Sequence, residues 1–458
     1  MHKLSYGWVA ILMFGLLAFT GCDDEDDRPD VPVIGTITDN ISTDSRFSTL
    51  AAALERTGLD AALDNFTARL TVFAPTDEAF AAAGIDLSAV SDEALADILR
   101  YHVISGENLV ASAIPDGVTS LATLNTTGSE GNALSLSVNN AGGTITINTV
   151  ADVTIPNLEY VNGTVHGIDA VLVPPTIVDQ AVRNGSFTTL VSLLQRVGLD
   201  EVLSGEGDFT VFAPTDDAFT ASGIDAGALS DDDVRNLLLY HVVGTGIPAG
   251  SIGGGDNFVT SLSESGPDDE ALTLLVNQTD GNVTVNGDAA VVVADVFASN
   301  GTVHAVDQVL MPQSIVDFVV NAEGVSELEA AVIAADLVGA LSGDGPLTVF
   351  GPVNAAFEAI ADTASTLSAA RLGAILQAHV VSGNITSDEL SEAMVGTLNA
   401  DYDINIRINP GEEADSEDDD FFEIATSDST AVQFILTDIQ GSNGVIHLID
   451  GVLLPENF

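Results

Sequence analysis

Acid–base or metal chemistry in this chain would first be sought at histidine, whose ordinary pKa lies near neutrality and whose ring nitrogens bind protons or metals. There are seven histidines, and the six beyond His2 form two recurring sets. His102, His241 and His379 each end an apolar stripe at helical spacing: Leu95, Ile98 and Leu99; Val234, Leu237 and Leu238; Leu372, Ile375 and Leu376. A histidine on an apolar face reads as a buried, hydrogen-bonded core residue. A partner-binding motif with the adjacent Tyr101 and Tyr240 is the alternative reading. His166, His304 and His447 lie in strand-like segments with Asp169, Asp307 and Asp450 three residues on. Strand alternation sends such a pair to opposite faces, so it is poorly placed to share a metal. No metal site and no cofactor is expected.

Nucleophilic chemistry has even fewer candidates. The only lysine is Lys3 and the only cysteine is Cys22, which excludes a phosphate-loop lysine, a Schiff base and a cysteine nucleophile farther along the chain. Neither Gly-x-Ser-x-Gly nor His-Glu-x-x-His occurs. With 68 Asp and Glu, chance proximity supplies many carboxylate pairs and singles out none. The chain is expected to bind rather than to catalyse.

The elements that position these residues come in three copies. Leu70-Thr71-Val72-Phe73-Ala74-Pro75-Thr76-Asp77 returns as Phe209-Thr210-Val211-Phe212-Ala213-Pro214-Thr215-Asp216, and more loosely as Leu347-Thr348-Val349-Phe350-Gly351-Pro352-Val353-Asn354. A second block, Asn162-Gly163-Thr164-Val165-His166, returns from Asn300 and from Asn443. A period near 140 residues is far longer than a solenoid repeat, so these are whole domains in tandem. The boundaries are placed at 35–174, 175–312 and 313–458. Phe47, Leu50, Ala51 and Leu54 have helical spacing, and Ser91, Ser230 and Ser368 open further helices. Thr-Val-Phe reads as a buried strand, and the Thr-, Val- and Gly-rich second half of each copy as a meander. Helices followed by strands make each unit α+β. Because Val353 replaces Thr where Asn354 aligns with Asp77 and Asp216, those three residues are expected to cap the helix after the first strand.

At the N-terminus, an apolar stretch from Trp8 to Phe19 is too short to span a bilayer and suits a signal peptide over 1–21. Thr20-Gly21-Cys22 then suggests acylation of Cys22 and a lipid anchor in a bacterial membrane. Residues 22–34, with Asp23-Asp24-Glu25-Asp26-Asp27, read as a solvated acidic tether. Over the whole chain of 458 residues the formal charge is −57. That excludes nucleic acid and anionic lipid surfaces as direct partners and suggests adaptation to high salt. Hydrophobic residues at 46% still supply real cores. The acidic insert 411–423 fails the calcium-loop pattern, because Asp420 stands where glycine is required, and is expected to be a solvated loop.

The Thr-Val-Phe-Ala-Pro-Thr-Asp block, the Tyr101-His102 and Tyr240-His241 pairs and the Gly-Thr-Val-His block together resemble the fasciclin domain family over residues 35–458. The resemblance implies three β-strand wedges flanked by helices, and a surface-anchored adhesion protein. The third copy departs most, with Ala378-His379 in place of Tyr-His. The expected function is a lipid-anchored, cell-surface or periplasmic protein that binds matrix or surface proteins or polysaccharide, with divalent-cation bridging a possibility. A periplasmic small-molecule binder with one pocket is the alternative.

Overall fold

The computed structural model describes residues 35–454 apart from 86, 88, 362–366, 392, 410–420 and 426–430. The expected signal peptide, Cys22, the acidic tether and most of the acidic insert lie outside the described residues. Each copy opens with short helices, in the first copy α1 (Ile37–Ile41), α2 (Ser48–Thr57) and α3 (Asp60–Leu63). Then come strand β1 (Leu70–Pro75) and helices α4 (Asp77–Ala83) and α5 (Asp92–Tyr101). The strands β2 (Val103–Ser105), β3 (Gly117–Ala122), β4 (Ser135–Ala141), β5 (Thr144–Ile147), β6 (Ala151–Tyr160) and β7 (Gly163–Ile168) complete the unit.

The strands form a seven-stranded sheet in the order β2-β1-β7-β6-β5-β4-β3, and the second and third units repeat it. The meander β3 to β7 is antiparallel, as its short turns require. The first strand, however, pairs in parallel with the last, Phe73 lying opposite His166. That pairing closes each unit and buries β1 and β7 on both faces, which suits the largely apolar sequence of β1 and leaves the polar Thr164 and His166 of β7 inside.

Alternation along these two strands divides each unit into two cores. Val72 and Val165 face the helices and pack with Phe47, Leu50, Leu54, Leu95 and Leu99. Phe73 and Ile168 face the other way, into Tyr101, Ile104, Leu134, Leu136 and Ile147. The α+β class follows from this division, with helices on one side and the curled meander on the other.

Ser91, Ser230 and Ser368 cap their helices as their position suggested, each hydroxyl accepting a backbone N–H three residues on. The other cap expectation needs correction. Helix α4 is capped by Thr76, whose side chain accepts from Ala79 N, and its counterpart in the second unit by Thr215. Asp77, Asp216 and Asn354 are the first helical residues rather than the caps. Their side chains serve a different helix. Asp77 accepts the N–H of Thr49 at 2.8 Å, Asp216 that of Thr189 at 2.7 Å and Asn354 that of Glu327 at 2.9 Å. The helix they serve begins after Phe47, Phe187 or Val325, none of which can supply a capping oxygen. This explains why the third copy loses the threonine, leaving Val353 without a cap bond, yet keeps an acceptor at Asn354.

Candidate functional site

The two histidine sets occupy two distinct buried positions, each repeated three times. His102 is the residue that ends α5. Its Nδ1–H donates to Ile98 O at 2.7 Å and its Nε2 accepts from Leu172 N at 2.9 Å. His241 pairs likewise with Leu237 O and Leu310 N, and His379 with Ile375 O and Leu453 N. One ring nitrogen accepts and the other donates, so the pattern needs neutral imidazole. Burial pushes all three pKa values down to about 4, only partly offset by the bond to the helix carbonyl. Both nitrogens are engaged within the unit and each ring is 1% exposed. They tie the end of a helix to the chain beyond the last strand.

The strand histidines use the opposite tautomer. His166 donates through Nε2 to Leu109 O at 2.8 Å and accepts Asn157 N at Nδ1, 3.3 Å. It stacks on Phe73 with ring centres 5.7 Å apart. His304 and His447 repeat the contacts with Ile247 O and Asp295 N, and with Ile385 O and Asp438 N. Burial lowers the pKa of each, although for His447 the bond to Ile385 O and the nearby Asp438 pull the other way. Asn157, Asp295 and Asp438 have φ of 59°, 59° and 62°, a left-handed conformation that Asn and Asp tolerate. Each sits where the strand equivalent to β6 bulges against the last strand. Its side chain then accepts a second backbone N–H, from Ala111, Ala249 or Ser387. Strand alternation in the sequence conceals such a bulge. Asp169, Asp307 and Asp450, opposite the histidines in sequence, each accept an N–H across the sheet, from Asp152, Ala290 and Gln433.

Two further buried anchors carried no recognisable signal as a site. Asn162 and Asn300 stand in glycosylation-like sequences and Asn443 at the matching place of the third unit, yet each side chain is buried. Asn162 accepts Ile37 N at 3.0 Å and donates to Leu63 O at 2.7 Å, joining the first helix, α3 and the β6–β7 turn. Thr71, Thr210 and Thr348 bridge the loop after β2 in the same repeated manner. Among the described residues no group of three or more His, Cys, Asp or Glu could hold a metal ion.

Tyr101 and Tyr240 have a different role, at the joins between units. The Tyr101 hydroxyl donates to Ser135 O at 2.9 Å and accepts from Asn148 Nδ2 at 2.8 Å. Burial pushes its pKa up to about 12, and that of Tyr240 rises for the same reason. Ser135 O also accepts from Gln180 of the second unit at 3.0 Å, and its hydroxyl accepts Phe297 N at 3.0 Å. The second join repeats the scheme. Tyr240 donates to Thr273 O at 3.0 Å, and the Thr273 hydroxyl accepts Gln440 N at 2.9 Å. Ser135 aligns with Thr273, and Phe297 with Gln440. Apolar contact reinforces each join, with Phe297 packed on the Tyr101 core and the Phe258 ring centre 6.2 Å from that of Phe318. Asp256 adds bonds from Glu323 N and Gly324 N. Tyr101 and Tyr240 thus stand at the two joins, and the corresponding residue of the third unit is Ala378, fully buried. The motif residues therefore support the fold and the joins.

The Fasciclin domain model matches residues 45–174, 185–312 and 323–455. Protein sll1483 of Synechocystis is 44% identical over 144 residues, 30% of this chain and 73% of that protein. Transforming growth factor-beta-induced protein ig-h3 of Oryctolagus cuniculus is 27% identical over 439 residues, 92% of this chain and 59% of that protein. This chain thus spans less than two thirds of the rabbit protein's length. A solved FAS1 domain pair from the insect cell adhesion molecule Fasciclin I is 20% identical with a TM-score of 0.40, covering 60% of this chain and 98% of its own. Three matches that together take in most of the chain, each falling on one seven-stranded unit, establish that this chain belongs to the fasciclin domain family.

Proposed function

We propose that the chain is a lipid-anchored adhesion protein, held through acylated Cys22 at a bacterial membrane, that binds matrix proteins, surface proteins or polysaccharide. The observation that supports it is the repeated join. Because the Ser135 and Thr273 hydroxyls each accept a backbone N–H of the next unit at the same strand position, three similar modules are held at fixed spacing and orientation. Such an array multiplies weak contacts into avidity when a partner repeats at matching intervals. The side-chain chemistry favours binding: every repeated histidine is neutral, buried and fully hydrogen-bonded. The strongly negative surface favours partners that are neutral or cationic, or that are bridged by divalent cations.

Among the described residues, the cavities found in the second and third units are small for the single-pocket alternative. An apolar cavity in the third unit, lined by Ile315, Val319, Leu328, Val332, Leu376 and His379, has a volume of about 50 Å³. Its counterpart in the second unit is about 20 Å³. Pockets for organic ligands are typically several hundred Å³. The test is binding of the mature chain, in high salt, to a panel of polysaccharides and matrix proteins with and without calcium. Saturable binding to a polymeric target supports adhesion. Absence of binding across the panel, together with a small molecule that raises the melting temperature, supports the pocket instead.

A further inference from the structure

The leading tip of the first unit differs from the same place in the other two. In the second unit the loop before the first strand is Ser204-Gly205-Glu206-Gly207-Asp208, and in the third Ser342-Gly343-Asp344-Gly345-Pro346. Both are small and acidic. In the first unit it is Asp64-Asn65-Phe66-Thr67-Ala68-Arg69, which brings an aromatic ring and a cation. The neighbouring turn changes in the same sense: Val161 stands where the other units have Ser299 and Ser442. The loop and the turn meet through Asn162, whose amide donates to Leu63 O at 2.7 Å and Asn65 O at 3.3 Å.

These substitutions fall on a surface whose counterpart is occupied inside the chain. In the second unit this loop faces the first, with Asp208 accepting from Ser129 at 3.2 Å. In the first unit Phe66 is 68% exposed and Val161 is 51% exposed, and Arg69 is exposed as well. Phe66 is the one aromatic side chain among the strongly exposed large apolar residues described. The same tip receives the chain from the N-terminus, since Val161 N donates to Gly35 O at 3.4 Å. Gly35 lies thirteen steps along the chain from Cys22, a reach of at most about 45 Å. An anchor at Cys22 therefore keeps this tip, of all the surfaces of the molecule, close to the bilayer.

We propose that Phe66, Val161 and Arg69 form a contact with the surface of a zwitterionic bilayer, setting the three-unit array on the membrane by its first unit. The proposal rests on the reading of Cys22 as the lipid anchor. Apolar side chains that enter the headgroup region gain by leaving water, and an arginine beside them reaches lipid phosphate. Asp64 and Glu159 at the same end make a strongly anionic membrane a poor partner, so the neutral headgroup is the chemistry that fits. A second copy of the chain is the competing occupant. It would have to present Asp403, the counterpart of Ser135 and Thr273, to Glu159, the counterpart of Phe297 and Gln440; two acids would meet where the internal joins bring a hydroxyl to a neutral residue.

The sequence allows a direct test, because its single Trp is Trp8, which a mature chain beginning at Cys22 lacks. Phe66→Trp in the acylated mature chain then reports on the tip alone, with Val292→Trp in the second unit as the exposed control. On phosphatidylcholine vesicles the Phe66→Trp emission is expected to shift to shorter wavelength and to be quenched by brominated phosphatidylcholine, while the Val292→Trp emission stays unchanged. Flotation of the same samples reports separately on the anchor. Protein that floats without a Phe66→Trp shift overturns the tip contact and leaves the anchor standing. A shift at high lipid concentration in a Cys22→Ser chain, if the natural chain fails to float through Cys22, keeps the contact and overturns the anchor. A shift that appears without vesicles, together with a doubled mass in sedimentation, assigns the tip to a second copy and overturns the proposal.

Discussion

Acidification should destabilise this protein well before its carboxylates titrate. His102, His241 and His379 are neutral in the folded units, with pKa values lowered to about 4, whereas an unfolded histidine titrates near 6.5. Their contribution to stability is fully present above the unfolded value. It is lost as pH falls from about 6.5 towards about 4, because the unfolded chain takes up a proton that the folded unit refuses. The difference is worth about 3 kcal/mol for each histidine, a large share of the roughly 5–15 kcal/mol that holds a domain folded. The strand histidines add in the same direction. An opposing effect exists, since protonating acids relieves a charge of −57, but it becomes large only near and below the carboxylate range. Between pH 6.5 and 5 the histidine effect should win. The assay is denaturant unfolding at constant high salt across that interval, followed by circular dichroism. Stability should fall with a slope approaching 1.4 kcal/mol per pH unit for each buried histidine in the cooperative unit. His241→Gln should flatten the slope of the transition that includes the second unit. Stability that holds level or rises from pH 6.5 to 5 would refute the reasoning.

Other expectations follow from local geometry. Asp77→Ala removes the acceptor at the start of α2 and should cost about 1 kcal/mol, while Val353→Thr should restore the missing cap in the third unit and gain a similar amount; paired melting curves decide both. Gly163→Ala would place a methyl group 2.1 Å from the Leu70 carbonyl oxygen, where β1 and β7 pair. It should cost more than about 3 kcal/mol or prevent folding, and an unchanged melting temperature would contradict the close approach. Lowering salt from molar to millimolar should lower the melting temperature by strengthening self-repulsion among the acids.

Much of the fold was legible because local pattern carries it. Helical spacing at Phe47, Leu50 and Leu54 and the serines at 91, 230 and 368 mark helices that do form. The parallel pairing of β1 with β7 was not legible, since nothing in either strand's alternation names a partner some ninety residues away. Asp77 was misread for a related reason. Its place beside a helix start suggests a local cap, and only the packed structure reveals that α2, beginning at an uncappable Phe47, needs it more. The bulges at Asn157, Asp295 and Asp438 interrupt strands that read as continuous. Tyr101 and Tyr240 were visible as a motif, and Ala378 as its departure, but their connection to the joins required Ser135 and Thr273 to be seen beside them.

The central claim is that three fixed modules bind as an array, and surface density tests it most directly. The mature chain would be measured against its polymeric target immobilised at a series of densities, with the same target free in solution as reference. Avidity predicts an apparent affinity that rises steeply once neighbouring sites fall within the span of the joined units. An affinity independent of density would contradict the account and leave one module, or one pocket, as the binding unit.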